Sequence, residues 1–259
     1  MQHTQKLGEF NVSPIGLGCM SMSHGYGESN KKFAQKTLLS ALDYGYNFYD
    51  TAALYGFGEN EKLLGKVLKP HRNRIILASK CGLIKGTDGK RAVNGRPDII
   101  QKTCEESLKN LQTECIDLYY LHRVDPQVPI EESIGALANL VKQGKIRGIG
   151  ISEVNTTTLR RAQQEYPITA LQSEYSLWTR NPEQGVLAAC RELSIKFIAF
   201  SPLARGFLTN KLNFKTHFST QDLRSSMPRF QGDNYLANLR LLTGFNAIAS
   251  EAARQRSSH

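Results

Sequence analysis

Ile116-Asp117-Leu118-Tyr119-Tyr120-Leu121-His122 has the length and the branched and aromatic content of a buried strand, and it ends in an imidazole. Two further stretches have the same design. Asn47-Phe48-Tyr49-Asp50-Thr51-Ala52 delivers a carboxylate, and Ile75-Ile76-Leu77-Ala78-Ser79-Lys80 delivers an ammonium. Tyr55 follows shortly after the first of these. If the three are parallel neighbours, their carboxyl ends meet at one rim, and Asp50, Tyr55, Lys80 and His122 share one pocket.

Outward from these runs, strands and helices alternate. After an N-terminal hairpin, strands are predicted at 15–20, 47–52, 75–80, 116–121, 146–151, 169–174 and 196–200. Phe33, Leu38, Leu39 and Leu42 are spaced as on a helix over 31–45, with Gly45 as its stop. Pro97 starts a second helix, with Asp98 in its first turn. Ile134, Leu137, Ala138 and Val141 line a third, closed by Gly144; Asn155 precedes a fourth and Pro182 opens a fifth. Strand ends fall at 50, 80, 121, 151, 174 and 200, steps of 30, 41, 30, 23 and 26 residues that suit βα units.

This rhythm predicts one domain over 1–259, an α/β fold of the (β/α)8 TIM type. A doubly wound sheet predicts a glycine-rich turn opening its first helix, but Gly16-Leu17-Gly18-Cys19-Met20-Ser21 lacks the third glycine. Gly65-Lys66 is followed by Val67, so there is no phosphate loop of the Walker type. The eighth βα unit is the one expected to be missing. After Phe200 comes an irregular stretch over 201–232, then one amphipathic helix carrying Leu236, Leu239, Leu242 and Ile248, then a polar tail from Arg254. An unclosed barrel leaves two sheet edges to be covered, and self-association is one way to cover them.

With 40% hydrophobic and 22% charged residues, the chain has the composition of a soluble globular protein. Its net charge of +10 suits an acidic ligand such as a phosphorylated nucleotide. The basic residues are dispersed, with pairs such as Lys31-Lys32 and Arg160-Arg161 as the densest clusters, which argues against a nucleic-acid partner. The five cysteines form no CxxC and have no histidine at metal spacing, so no metal is expected. An odd cysteine count and a polar stretch from Met1 to Lys6 suggest reduced thiols in a cytoplasm. No apolar run is long enough to span a membrane.

An acid, a phenol, an ammonium and an imidazole together move protons. Carbonyl reduction needs a hydride donor and a proton for the oxygen as it becomes an alkoxide. Tyr55 suits that role, but a phenol's ordinary pKa is about 10, and a neighbouring ammonium such as Lys80 lowers it. Asp50 keeps Lys80 charged and fixed, and His122 donates a hydrogen bond that orients the carbonyl. Singly, each has a plainer reading: a packing tyrosine, a solvated lysine, a structural histidine, a turn-capping aspartate. Their joint placement on one rim favours the chemical reading. Glycoside hydrolysis needs two facing carboxylates, for which Asp50 and Glu174 are the available pair.

The segments Phe48-Tyr49-Asp50-Thr51-Ala52-Ala53-Leu54-Tyr55-Gly56, Ala78-Ser79-Lys80 and Leu121-His122-Arg123 resemble the aldo-keto reductase superfamily. The resemblance runs from Leu7 to about Ala252. It implies NADP(H) lying extended across the carboxyl face of a barrel, and reduction of a small aldehyde or ketone with Tyr55 as proton donor. It places Asp50, Ser152 and Gln172 at the nicotinamide end, the latter two on the carboxamide. Phe200 takes the place of a stacking tyrosine, and Glu153 replaces a more usual asparagine. The loop over 201–208, with Ser201, Leu203, Arg205 and Gly206, is similar to one lining the pyrophosphate, and Gly18, Cys19 and Met20 border the same pocket. The branch resembled includes bacterial and plant reductases of assorted aldehydes, pyridoxal among them. In full-length relatives a last strand and helix carry a Gly-Thr motif and basic residues that grip the adenosine 2′-phosphate. Without them, poor NADPH binding and reduced turnover are expected. The alternative function is then a cofactor-poor, non-enzymatic binding or regulatory protein on the same scaffold.

Overall fold

The computed structural model describes residues 4–257. The chain opens with an antiparallel hairpin, β1 (Gln5–Leu7) and β2 (Phe10–Val12), followed by β3 (Leu17–Gly18), α1 (Lys31–Asp43), β4 (Phe48–Asp50), α2 (Glu59–Leu68) and β5 (Ile76–Cys81). A second hairpin, β6 (Leu83–Lys85) and β7 (Arg91–Val93), precedes α3 (Pro97–Leu111) and β8 (Ile116–Leu121). Then come α4 (Ile130–Lys142), β9 (Ile146–Ser152), α5 (Thr156–Glu165), β10 (Ala170–Glu174), α6 (Val186–Glu192), β11 (Lys196–Phe200) and α7 (Gly232–Ser257).

β3, β4, β5, β8, β9, β10 and β11 are hydrogen-bonded in that order, all parallel, into one curved sheet. It is a nearly closed barrel of the (β/α)8 type. Among the described residues no eighth strand joins β11 to β3.

Residues two apart on a strand face the same way, and this parity builds the site. Phe48, Ala78, Leu118, Tyr120 and Ala170 turn into the barrel and pack on Leu7, Phe10 and Val12 of the first hairpin. Tyr49, Leu77, Tyr119, Ile149, Ile151 and Leu171 turn outward onto the helices. Continuing the inward parity towards the strand ends brings up Asp50, Lys80, Ser152, Gln172 and Phe200. The pairings Gly18↔Asp50, Lys80↔Tyr120 and Gln172↔Ser152 set these positions at one level. Gly150 is needed here: a Cβ on it would lie 2.2 Å from the Tyr120 ring, which fills the barrel below the site.

Local signals act as expected at several helix starts. The Asn155 carboxamide accepts from Thr158 N at 2.9 Å, and Pro97 occupies the first turn of α3, where its missing N–H costs nothing. Elsewhere the structure corrects the reading. The strand expected at 15–20 shrinks to two residues because Met20–Met22 coil into a 3-10 turn. The strand expected at 47–52 ends at Asp50. Pro182 sits in a 3-10 turn, Asn181–Gln184, and α6 starts only after Gly185, whose φ is 145°. α2 and the β6–β7 hairpin add to the elements expected from the sequence. The 201–232 stretch is irregular apart from 3-10 turns, and Trp178 is packed on Phe207 with centroids 4.1 Å apart. Met1–His3 of the polar N-terminal stretch and Ser258 and His259 of the polar tail lie outside the described residues, whereas Arg254–Ser257 continue α7. No helix among the described residues is long and apolar enough to cross a membrane.

Candidate active site

A cavity of about 740 Å³ opens at the carboxyl end of the barrel, and Asp50, Tyr55 and His122 line it. Lys80 lies under it, 1% exposed, bonded through Nζ to Asp50 Oδ1 and, at 2.8 Å, to the Thr51 carbonyl. The other Asp50 oxygen accepts from Gln172 Nε2 at 2.9 Å. The Lys80 ammonium stands 5.2 Å from the centroid of the Tyr55 ring and 5.6 Å from that of Tyr120. Tyr55 opens a 3-10 turn whose next two residues, Gly56 and Phe57, take φ of 57° and 50°. Both lie in the left-handed region, and Tyr55 just ahead of them lines the cavity. The His122 ring meets Tyr55 edge-on, centroids 5.8 Å apart at 81°, and its Nδ1 is buried with no hydrogen-bond partner among the described residues. The four residues read from the sequence are therefore neighbours.

The electrostatics differ from the expectation in one respect. Burial pushes the Tyr55 phenol above its ordinary range, and the opposing pull of the Lys80 charge does not reverse it. Tyr55 is a protonated phenol at neutral pH. Burial disfavours the Lys80 ammonium, yet Asp50 and Tyr55 hold its pKa above the usual value. Burial, with the Lys80, Arg123 and Arg91 charges, drives His122 well below the usual histidine range, so the imidazole is neutral. Burial also pushes the Cys19 thiol up, leaving it unreactive.

Of the residues proposed for the cofactor, Gly18, Met20, Asp50, Ser152, Gln172, Phe200, Ser201 and Arg205 line the cavity. Leu203 and Gly206 do not; Leu203 is 58% exposed beside it. The loop after β11 holds Ser201, Ala204 and Arg205 at positive φ (51°, 51° and 57°), strain that surrounding contacts must maintain. Arg205 is anchored to Glu174 Oε2 at 2.8 Å and Arg224 Nη1 holds the Arg205 carbonyl at 3.1 Å. Arg205 Nε remains buried and unpartnered among the described residues. A spare guanidinium donor and a strained loop at the cavity wall fit a phosphate-bearing ligand. Among the described residues no cluster of His, Cys, Asp and Glu is arranged to hold a metal ion. The glycosidase pair is unusable: Asp50 is committed to Lys80 and Gln172, and Glu174 to Arg205 and, at 2.7 Å, Arg229.

The sequence reading missed several walls of the cavity. His24, Tyr26, Leu54 and Phe57 come from loops after β3 and β4; Arg91 comes from the second hairpin; Leu223, Ser226 and Met227 come from the stretch after β11. Arg123 is also on the wall, and its place next to His122 is the signal the sequence carries for it.

The sequence pattern of the aldo/keto reductase family matches residues 14–257. "Aldo-keto reductase yakc [NADP(+)]" of Schizosaccharomyces pombe is 43% identical over 253 residues, covering 95% of this chain and 74% of the yeast protein. The solved glycerol dehydrogenase AKR11B4 from Gluconobacter oxydans superposes with a TM-score of 0.86 at 31% identity, over 96% of this chain and 78% of that one. Aldo-keto reductase AKR11C1 from Bacillus halodurans, in its holo form, gives a TM-score of 0.75 at 31% identity, over 85% and 74%. The chain belongs to the aldo/keto reductase family of oxidoreductases.

Proposed function

We propose that this protein reduces aldehydes or ketones to alcohols with NADPH, and that Tyr55 supplies the proton. Membership of the family and the cofactor named for the yeast relative support carbonyl reduction with NADP(H). Gly18, Met20, Asp50, Ser152, Gln172, Phe200, Ser201 and Arg205 would hold the dinucleotide along the cavity. When bound it supplies a hydride to the carbonyl carbon.

The chain's own residues handle the oxygen. Tyr55, protonated because it is buried, gives its proton to the developing alkoxide and becomes a phenolate. The Lys80 ammonium, 5.2 Å from the ring, offsets that negative charge. Asp50 and the Thr51 carbonyl keep Lys80 charged and prevent it from swinging away. Neutral His122 donates a hydrogen bond to the carbonyl and fixes its direction. Solvent then reprotonates Tyr55. The observation that carries this reading is the buried Lys80–Asp50 pair directly beneath the Tyr55 ring. The five unpaired cysteines support a reducing compartment, the cytoplasm.

The test is to follow NADPH absorbance with the purified protein and a panel of aromatic and aliphatic aldehydes. Aldehyde-dependent oxidation of NADPH with formation of the matching alcohol is expected. No aldehyde-dependent loss across the panel would overturn the proposal.

A further inference from the structure

We propose that the carbonyl substrate of this site carries an anionic group, a carboxylate or a phosphate, seated by Arg91 and Arg123. The inference rests on the carbonyl-reductase reading and deepens it by fixing the charge of the substrate.

The cavity wall holds three arginines, Arg91, Arg123 and Arg205, against a single lining carboxylate, Asp50. Asp50 is taken by Lys80 and Gln172, and Glu174 by Arg205 and Arg229. Glu153 spends Oε1 on the Glu174 N–H at 2.7 Å. Among the described residues, neither Arg91 nor Arg123 has an acidic partner within ion-pair distance. Arg123 is half-buried, and its hydrogen bonds go to neutral acceptors, the His122 carbonyl at 2.6 Å and Ser152 Oγ at 3.2 Å.

Arg91 is exposed, but Arg123 is partly removed from water with no carboxylate paired to it, and an arriving anion offsets that cost. Burial holds the Arg123 pKa below its usual value, opposed chiefly by Glu153 and helped by the Arg91 charge. Both arginines act electrostatically on His122, so they lie close to the group that orients the carbonyl. Arg91 projects from the β6–β7 hairpin, which also sends Lys85 over the Phe57 ring at 5.2 Å. Leu54, Phe57 and Leu83 line the same cavity and offer apolar contact to the body of the substrate. Guanidinium forks bind carboxylate and phosphate oxygens in pairs, which gives orientation as well as affinity.

The test compares 4-carboxybenzaldehyde with its methyl ester, and pyridoxal 5′-phosphate with pyridoxal, in the parent, Arg91→Met, Arg123→Met and the two Arg→Lys variants. In the parent, kcat/KM should favour the anionic member of at least one pair by about tenfold to a hundredfold, the worth of one or two charge-assisted hydrogen bonds. The pair that shows the preference tells carboxylate from phosphate. The ratio should fall towards one in each Met variant, be partly kept by lysine, and shrink with added salt. A ratio near one for both pairs in the parent overturns the proposal and leaves the reductase reading standing, because the neutral aldehydes are still turned over. If no aldehyde is reduced, the reductase reading fails. Calorimetric titration with terephthalate and inorganic phosphate then decides the anion site alone: binding lost in both Met variants supports it, and no binding overturns it. Met variants that weaken NADPH binding and leave the substrate ratio intact would assign the arginines to the cofactor and overturn the proposal.

Discussion

Lys80 and Asp50 sit on adjacent parallel strands, and the pair is asymmetric: the lysine side chain is fully buried, whereas the aspartate is 14% exposed and keeps a second donor in Gln172. Removing one partner of a buried pair costs more than the pair contributes, because a desolvated charge is left behind. Asp50→Asn should therefore destabilise by about 3–5 kcal/mol, leaving the ammonium with neutral acceptors such as the Thr51 carbonyl and no counter-charge. Lys80→Met should cost less, since Asp50 retains solvent and the Gln172 amide. Urea denaturation of both variants checks the order; a more damaging Lys80→Met would reverse it.

His122 ties stability to pH. Its folded pKa lies well below 6.5 through burial and neighbouring positive charges, so the unfolded chain takes up that proton first. The contribution is fully present above pH 6.5 and is lost as pH falls towards the folded value. His24, lowered by burial, adds in the same direction. His122→Gln should flatten the dependence of the urea midpoint between pH about 7.5 and about 5.5. An unchanged slope would show that the ring titrates normally in the folded protein.

Glu61 predicts the opposite sign. It is fully buried between α2, α3 and β5, bonded to Ser79 Oγ at 2.6 Å and Asn110 Nδ2 at 3.2 Å. Burial raises its carboxyl above 4.5. The stability it contributes is present below pH 4.5 and is lost as pH rises through the folded pKa. Glu61→Gln removes the titration, so the variant should gain on the parent as pH rises from about 4.5 to about 7. Melting temperatures across that range test it, and a gap that does not widen contradicts it.

Gly150 and Tyr120 predict a packing coupling. Gly150→Ala places a methyl 2.2 Å from the Tyr120 ring and should cost about 1–3 kcal/mol. Tyr120→Leu in the same chain should recover part of that loss. Additive losses in a double-mutant cycle would show that the ring is not what the methyl meets.

Much of the site was legible because strand parity is strict. Asp50, Lys80, Ser152, Gln172 and Phe200 follow from the inward period of two once the strands are placed, and Tyr55 and His122 follow immediately after strand ends. What the sequence hid came from segments without periodicity. Arg91 belongs to a hairpin of three-residue strands, too short to show alternation, and Met227 to a stretch whose shape depends on Arg224 clamping the Arg205 carbonyl. The phenol's upward pKa was missed for a different reason. The sequence displays the charge of Lys80, but only the folded chain displays the burial that outweighs it.

Replacement of Tyr55 by phenylalanine, read as kcat for NADPH-dependent reduction of an aldehyde the parent accepts, tests the proton transfer most directly. The change removes the hydroxyl and leaves the ring against His122 and Lys80. A fall of about a hundredfold to ten-thousandfold, with melting temperature and NADPH affinity preserved, is the expected result. A variant that reduces the aldehyde at the parental rate would contradict the account.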